Sequence, residues 1–210
     1  LTALQKDANR RHGFSADKTL SIAQSLYEKK ITTYPRTGSR YISEDIFEEV
    51  PALLRKIGKT LSNPLNRHSV DNAKVTDHHA IIPTEIPPSS NLTREEKLVY
   101  DLVARRFIAV FYPECKISNT LVEGQVSTIP FKASGKQILE PGWRIIYAKD
   151  KKDEKDEKDK DEEQSIPEFV AGEKGDHEPL IHQGKTSPPK PYTEATLLRA
   201  METAGKQVED

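Results

Sequence analysis

Near Lys116 the spacing of apolar residues changes period, and that change calls for two different kinds of structure in one chain. Upstream, apolar residues recur every three or four positions, as on helices with one buried face. The spacing predicts a short helix over 4–11 that closes near Gly13. Ser15 caps a second, with Leu20, Ala23, Leu26 and Tyr27 on one side and an end near Lys30. Ser43 caps a third that carries Ile46, Val50, Leu53, Leu54 and Ile57, with Pro51 as a kink or restart. Thr93-Arg94-Glu95-Glu96 is a capping box ahead of the strongest helical pattern: Leu98, Val99, Leu102, Val103, Phe107, Val110 and Phe111. Downstream the period falls to two. Residues 120–123 and 126–132 alternate, Ser134-Gly135 reads as a turn, and 137–139 and 143–147 follow as strands of an antiparallel meander. Strand-like pieces return at 168–170 and 180–182, and Thr193 opens a final helix through Met201.

The expected fold class is therefore α+β and multi-domain. A mostly helical domain covers 1–116, an antiparallel β-rich domain covers 117–191, and 192–210 begins a further helical segment. At 210 residues the chain is long enough for such a division and for a real core. Hydrophobic content of 35% is low and charged content of 31% is high. Part of the cause is local. Residues 149–163 hold six lysines and nine carboxylates, which cannot bury anything and read as a mobile loop within the β-rich domain. With that run set aside, the net charge of −1 becomes +2, and residues 1–60 carry eleven Lys or Arg against seven acids. The bias is too modest for a strongly cationic, non-specific nucleic-acid binder. One cysteine, Cys115, excludes an internal disulfide framework and a cysteine-based zinc site. No apolar run reaches the roughly 18 residues a membrane span needs, so no membrane is expected as a partner. The sequence starts mid-pattern without Met and stops abruptly at Asp210, and it reads as a piece of a longer protein.

The chemistry concentrates in Ile31-Thr32-Thr33-Tyr34-Pro35-Arg36-Thr37-Gly38-Ser39-Arg40. A helical pattern runs into this stretch, and Pro35 and Gly38 break it. Pro35 biases Tyr34 toward extended geometry, so the phenol projects from a turn. Arg36 and Arg40 offer planar forks that match phosphate oxygens, and Thr37 and Ser39 add neutral donors. A free phenol holds its proton until about pH 10, so a nucleophilic tyrosine needs a neighbouring cation, which Arg36 can supply. From these residues alone, two readings stand open: a nucleophile for a phosphodiester, or a tyrosine packed at a helix-to-loop junction.

The same stretch resembles the active-site motif of type IA DNA topoisomerases, Tyr-x-Arg-(Thr/Ser)-acidic-Ser. Pro35 and the Arg40-Tyr41 pair make it most similar to the bacterial topoisomerase III branch of that family. Asp77-His78-His79-Ala80-Ile81-Ile82-Pro83-Thr84 resembles the family's His-x-Ala-Ile-x-Pro motif. Pro188-Pro189-Lys190-Pro191-Tyr192-Thr193-Glu194-Ala195-Thr196-Leu197 is similar to the segment by which the family's chain leaves its central arch. The three matches stand in the family's order. Gly38 departs from the pattern, standing where the family usually has Asp or Glu.

The resemblance implies a central fragment, with a movable helical domain bearing the tyrosine followed by a β-rich hinge, or arch, domain. It implies ATP-independent cleavage, strand passage and religation of single-stranded DNA through a 5′-phosphotyrosyl bond. Tyr34 is then the nucleophile, Arg36 the stabilising cation and His78 the donor to a phosphate oxygen or to the leaving 3′ oxygen; Thr37, Ser39, Arg40, His79 and Lys190 contact DNA. Magnesium is expected from a Glu and an Asp-x-Asp on a separate domain absent from this chain, so the fragment alone is expected to be inactive. No metal site is expected here, because His78 and His79 lack a third ligand at usable spacing. No nucleotide cofactor is expected either, since Gly-rich phosphate loops are missing. A monomer in the bacterial cytosol or nucleoid completes the expectation. Two alternatives remain: a non-catalytic DNA-binding or scaffold module, and another strand transferase that forms phosphotyrosine.

Overall fold

In the computed structural model, residues 1–61, 64–148, 166–176 and 178–204 are described, and the charged loop expected over 149–163 lies outside them. The chain divides into two compact units, Leu1–Pro113 with Pro191–Asp210, and Glu114–Lys190.

The first unit is helical. Helix α1 (Thr2–His12) ends at Gly13, whose φ of 67° supplies the left-handed cap that glycine adopts without strain. Helix α2 (Ala16–Glu28) starts on the Ser15 hydroxyl, which accepts the Lys18 N–H. Its buried stripe is Thr19, Ile22, Ala23 and Leu26, which leaves Tyr27 just off the core-facing side. Helix α3 (Glu44–Lys56) runs unbroken through Pro51 and buries Val50, Leu53 and Leu54. Helix α4 (Arg94–Phe111) opens on the full capping box, with Thr93 and Glu96 satisfying each other's backbone N–H groups. Ile22 and Leu26 of α2 meet Val99 of α4, together with Ile31 and Leu92 from the connecting segments, in a core edged by Leu4, Phe14 and Tyr100. Each such side chain stabilises the fold by roughly 1.5–3 kcal/mol on burial.

Helix α5 (Glu194–Glu202) is not a separate piece. It packs against α1 within the helical unit. The Ala195 N–H donates to Asn9 Oδ1 at 3.2 Å, the Ala16 N–H to Glu194 Oε2 at 2.6 Å, and Lys6 pairs with Glu202 at 2.6 Å.

The second unit is simpler than a meander. Strands β1 (Lys116–Val126) and β2 (Ile129–Glu140) form one antiparallel hairpin, in register from Val126 opposite Ile129 to Ile117 opposite Ile138. The turn is Ser127-Thr128, with φ of 56° at Ser127, the left-handed geometry that matches strand twist. Ser134-Gly135 is therefore mid-strand, with Gly135 opposite Thr120. Gly124 lies opposite Phe131, and the strand continues through it. Residues 143–147 belong to a short 3₁₀ helix, Gly142–Tyr147: Pro141 cannot donate to a ladder, and Gly142 turns the chain at φ 49°. Segments 168–170 and 180–182 are not strands, because among the described residues no strand pairs with them; Leu180 is 94% exposed.

Candidate active site

The path into Tyr34 is set by how α2 ends. The Ile31 N–H reaches back to Leu26 O at 2.9 Å and the Lys30 N–H to Tyr27 O at 2.8 Å, with Lys30 at φ 60°. This left-handed reversal drops Ile31 into the core and turns the following residues into extended backbone. There they meet the histidine segment running the other way. Thr33 N–H donates to Ile82 O and Thr84 N–H to Ile31 O, both at 3.0 Å, with Thr32 opposite Pro83. The Thr33 hydroxyl accepts the Ile82 N–H at 3.0 Å and donates to Ala80 O at 3.3 Å. Pro35 and Pro83 are fully buried, so each segment is pinned by a rigid ring beside its chemical groups.

These pairings bring the two histidine- and tyrosine-bearing turns together. The Tyr34 ring lies 4.5 Å from the His78 ring, centroid to centroid, at 50°. Thr37, only 7% exposed, donates its hydroxyl proton to His78 O at 3.0 Å and accepts the Ser39 N–H at 3.0 Å. The hydroxyl expected to meet a phosphate thus holds the histidine turn in place. Ser39 does similar work: its hydroxyl donates to Lys74 O at 3.0 Å and accepts the Tyr41 N–H at 3.1 Å. His78 is exposed, whereas His79 is half-buried and turns its Nδ1 to Ala80 O at 2.7 Å.

Arg36 is exposed and has no partner among the described residues, which leaves its guanidinium open to an incoming anion. Arg40 is also exposed, with its guanidinium 3.7 Å from Glu202 at the end of α5. Lys190 is the last residue of the other unit and is exposed. Gly38 has no heavy atom within 4 Å of where a Cβ would stand, so the space for a side chain at this position exists. A cavity of about 450 Å³ is lined by Gly38, Ser39 and Arg40, by Ala80 to Ile82 and by α1 and α4; Tyr34, Arg36 and His78 do not line it. Among the described residues, no three of His, Cys, Asp and Glu stand together as metal ligands, and no helix is long and apolar enough to cross a membrane.

Two features escape sequence reasoning. The Tyr27 and Tyr34 rings meet nearly at right angles, 5.3 Å apart at 76°. The second feature is Glu96, 5% exposed, which accepts from Ser25 Oγ and from Lys29 as well as capping α4. Burial alone would raise its pKa, but the Lys29 ammonium, the Ser25 hydroxyl and the Thr93 N–H outweigh burial and hold the carboxyl at about 2. Glu96 thereby ties the start of α4 to the last turns of α2, the helix that delivers the tyrosine. Its capping role is visible in the sequence; the reach to Ser25 and Lys29 is not.

A sequence model of the DNA topoisomerase family matches residues 1–205. The chain belongs to that family, in its type IA class. Among its relatives, DNA topoisomerase 3 of Bacillus thuringiensis (strain Al Hakam) is 42% identical over a 226-residue alignment that covers 100% of this chain. DNA topoisomerase 3 of Bacillus subtilis (strain 168) is 40% identical over 216 residues, covering 96% of this chain. The chain spans about 30% of the length of these relatives. Full-length topoisomerase I from Thermotoga maritima shares the fold, with a TM-score of 0.62 and 23% identity over 97% of this chain and 34% of its own.

Proposed function

We propose that the protein carrying this chain cleaves and rejoins single-stranded DNA by transesterification, with Tyr34 as the nucleophile. The observation that supports this reading best is the site itself: a phenol against the exposed His78 ring, two residues from the exposed Arg36 guanidinium, neither with a hydrogen-bond or ion-pair partner among the described residues. Tyr34 Oη forms a bond to phosphorus as the bond from phosphorus to the 3′ oxygen breaks, and the phenolic proton leaves to solvent. The 3′ oxygen takes up a proton, for which His78 is the available donor. Arg36 stabilises the added negative charge on the phosphoryl oxygens. Bond energy is retained in the phosphotyrosyl ester, so the reverse attack by the 3′ hydroxyl rejoins the strand without a nucleotide.

Magnesium, when bound, would supply charge neutralisation at the phosphates. The described residues of this chain do not form a set that fits it, and on this reading a separate domain of the protein would hold the ion. While the break is held, the helical unit swings on the β-rich unit and another strand passes. Strand passage therefore needs more than this chain, and the fragment by itself is inactive. A monomer working in the bacterial cytosol fits this reading.

The test is strand polarity. Full-length protein is mixed with a single-stranded oligonucleotide labelled at either end and then denatured. The expected result is protein on the 3′-labelled fragment, joined through its 5′ phosphate. Protein on the 5′-labelled fragment would assign the site to a different class of strand transferase, and no adduct at all would leave a binding module.

A further inference from the structure

The Tyr34 hydroxyl has no hydrogen-bond partner among the described residues, so nothing at its tip orients the ring. The outer side-chain torsion of a tyrosine is broad and is held only by what touches the ring. Among the described residues, two aromatic rings pack against it. His78 lies on an exposed turn. Tyr27 lies in the last turn of α2, its ring nearly perpendicular to that of Tyr34 at 5.3 Å and 76°, a favoured geometry for an aromatic pair.

Tyr27 stands off the buried stripe of α2 and is 40% exposed, so the helical core does not depend on it. Its helix is anchored on the other side through Ser25 and Lys29 to Glu96. A ring on a helix fixed in this way is a firmer reference than a ring on a turn. We infer that Tyr27 is a positioning residue for the nucleophile: its ring, packed perpendicular to that of Tyr34, fixes the Tyr34 plane so that Oη meets phosphorus in line, and its own hydroxyl takes no part. This rests on the reading of Tyr34 as nucleophile.

The experiment compares wild type, Tyr27→Phe, Tyr27→Leu and Tyr27→Met in the full-length protein. It measures the single-turnover rate of adduct formation at saturating single-stranded oligonucleotide, the oligonucleotide Kd, and the pH profile of the rate. A misplaced nucleophile slows attack on the order of 10–100-fold, so Tyr27→Leu and Tyr27→Met should fall by that factor with Kd unchanged. Tyr27→Phe keeps the ring and should match wild type in rate and in the shape of its pH profile. Met serves as the second replacement should Leu disturb the helix, with Tm recorded for each.

Full-speed cleavage by Tyr27→Leu or Tyr27→Met would overturn the inference. So would a Tyr27→Phe variant as slow as Tyr27→Leu, or a loss that appears only in Kd, which would make Tyr27 a surface for stacking bases. Wild-type protein that forms no adduct at Tyr34 would instead sink the nucleophile assignment, a result distinct from all of these.

Discussion

Arg36 is the residue whose surroundings most clearly invite a ligand. It is one peptide past the buried Pro35, exposed, and without a carboxylate among the described residues to neutralise it. Replacing it with alanine in the full-length protein should remove about 2–4 kcal/mol of transition-state stabilisation and leave the folded state intact. Single-turnover cleavage rates measure this, and a wild-type rate would reduce Arg36 to a surface residue. The tyrosine and histidine turns were legible in the sequence because prolines and short polar residues act locally. Pro35 and Pro83 do anchor the turns, and the hydroxyls between them do organise the backbone. Less legible was how those hydroxyls are used. Thr37 and Ser39 read as phosphate donors, yet their hydrogen bonds run to His78 O and Lys74 O. Tyr27 was hidden for a different reason: its contact with Tyr34 exists only because Lys30 reverses the chain at a positive φ, which no spacing rule signals.

Among the elements, α2 leads into the tyrosine turn, and Glu96 joins it to α4. Its folded pKa, about 2, lies below the ordinary 4.5, so its contribution to stability is complete above about pH 4.5 and is lost as pH falls toward 2. The half-exposed Lys29 lets solvent screen the pair, which leaves on the order of 1–2 kcal/mol. Urea unfolding should therefore show wild type more stable than Glu96→Gln at pH 6, with the gap narrowing below about pH 4.5 and closing only as pH approaches 2. A gap that is constant with pH would mean the carboxylate acts only as a cap. Helix existence was readable from periodicity, and all five helices stand near their expected starts. The strand region was harder. Ser134-Gly135 looked like a turn, but a turn at Ser127-Thr128 leaves β1 and β2 paired along nearly their whole length. Trp143 to Tyr147 alternated like a strand, yet Pro141 and Gly142 deny that segment a ladder.

At the scale of the whole molecule, the change of period falls near Lys116, and the second compact unit begins at Glu114. The return of α5 to α1 was not marked, because an amphipathic helix does not announce which neighbour it will cover. Residues 149–163 hold too little apolar surface to join a core, so deleting them should leave Tm and cleavage rate unchanged. A fall in either would show that the run does more than connect. The chain accounts for about 30% of its relatives' length, which is why cleavage must be assayed in the full-length protein.

The central claim is that the Tyr34 oxygen becomes bonded to DNA. It is tested most directly by trapping the adduct on a single-stranded oligonucleotide, digesting the protein and mapping the nucleotide-bearing peptide by mass spectrometry. The account predicts a phosphotyrosyl linkage on Tyr34, absent in Tyr34→Phe while DNA binding by that variant persists. A linkage on any other residue, or cleavage that survives Tyr34→Phe, would contradict it.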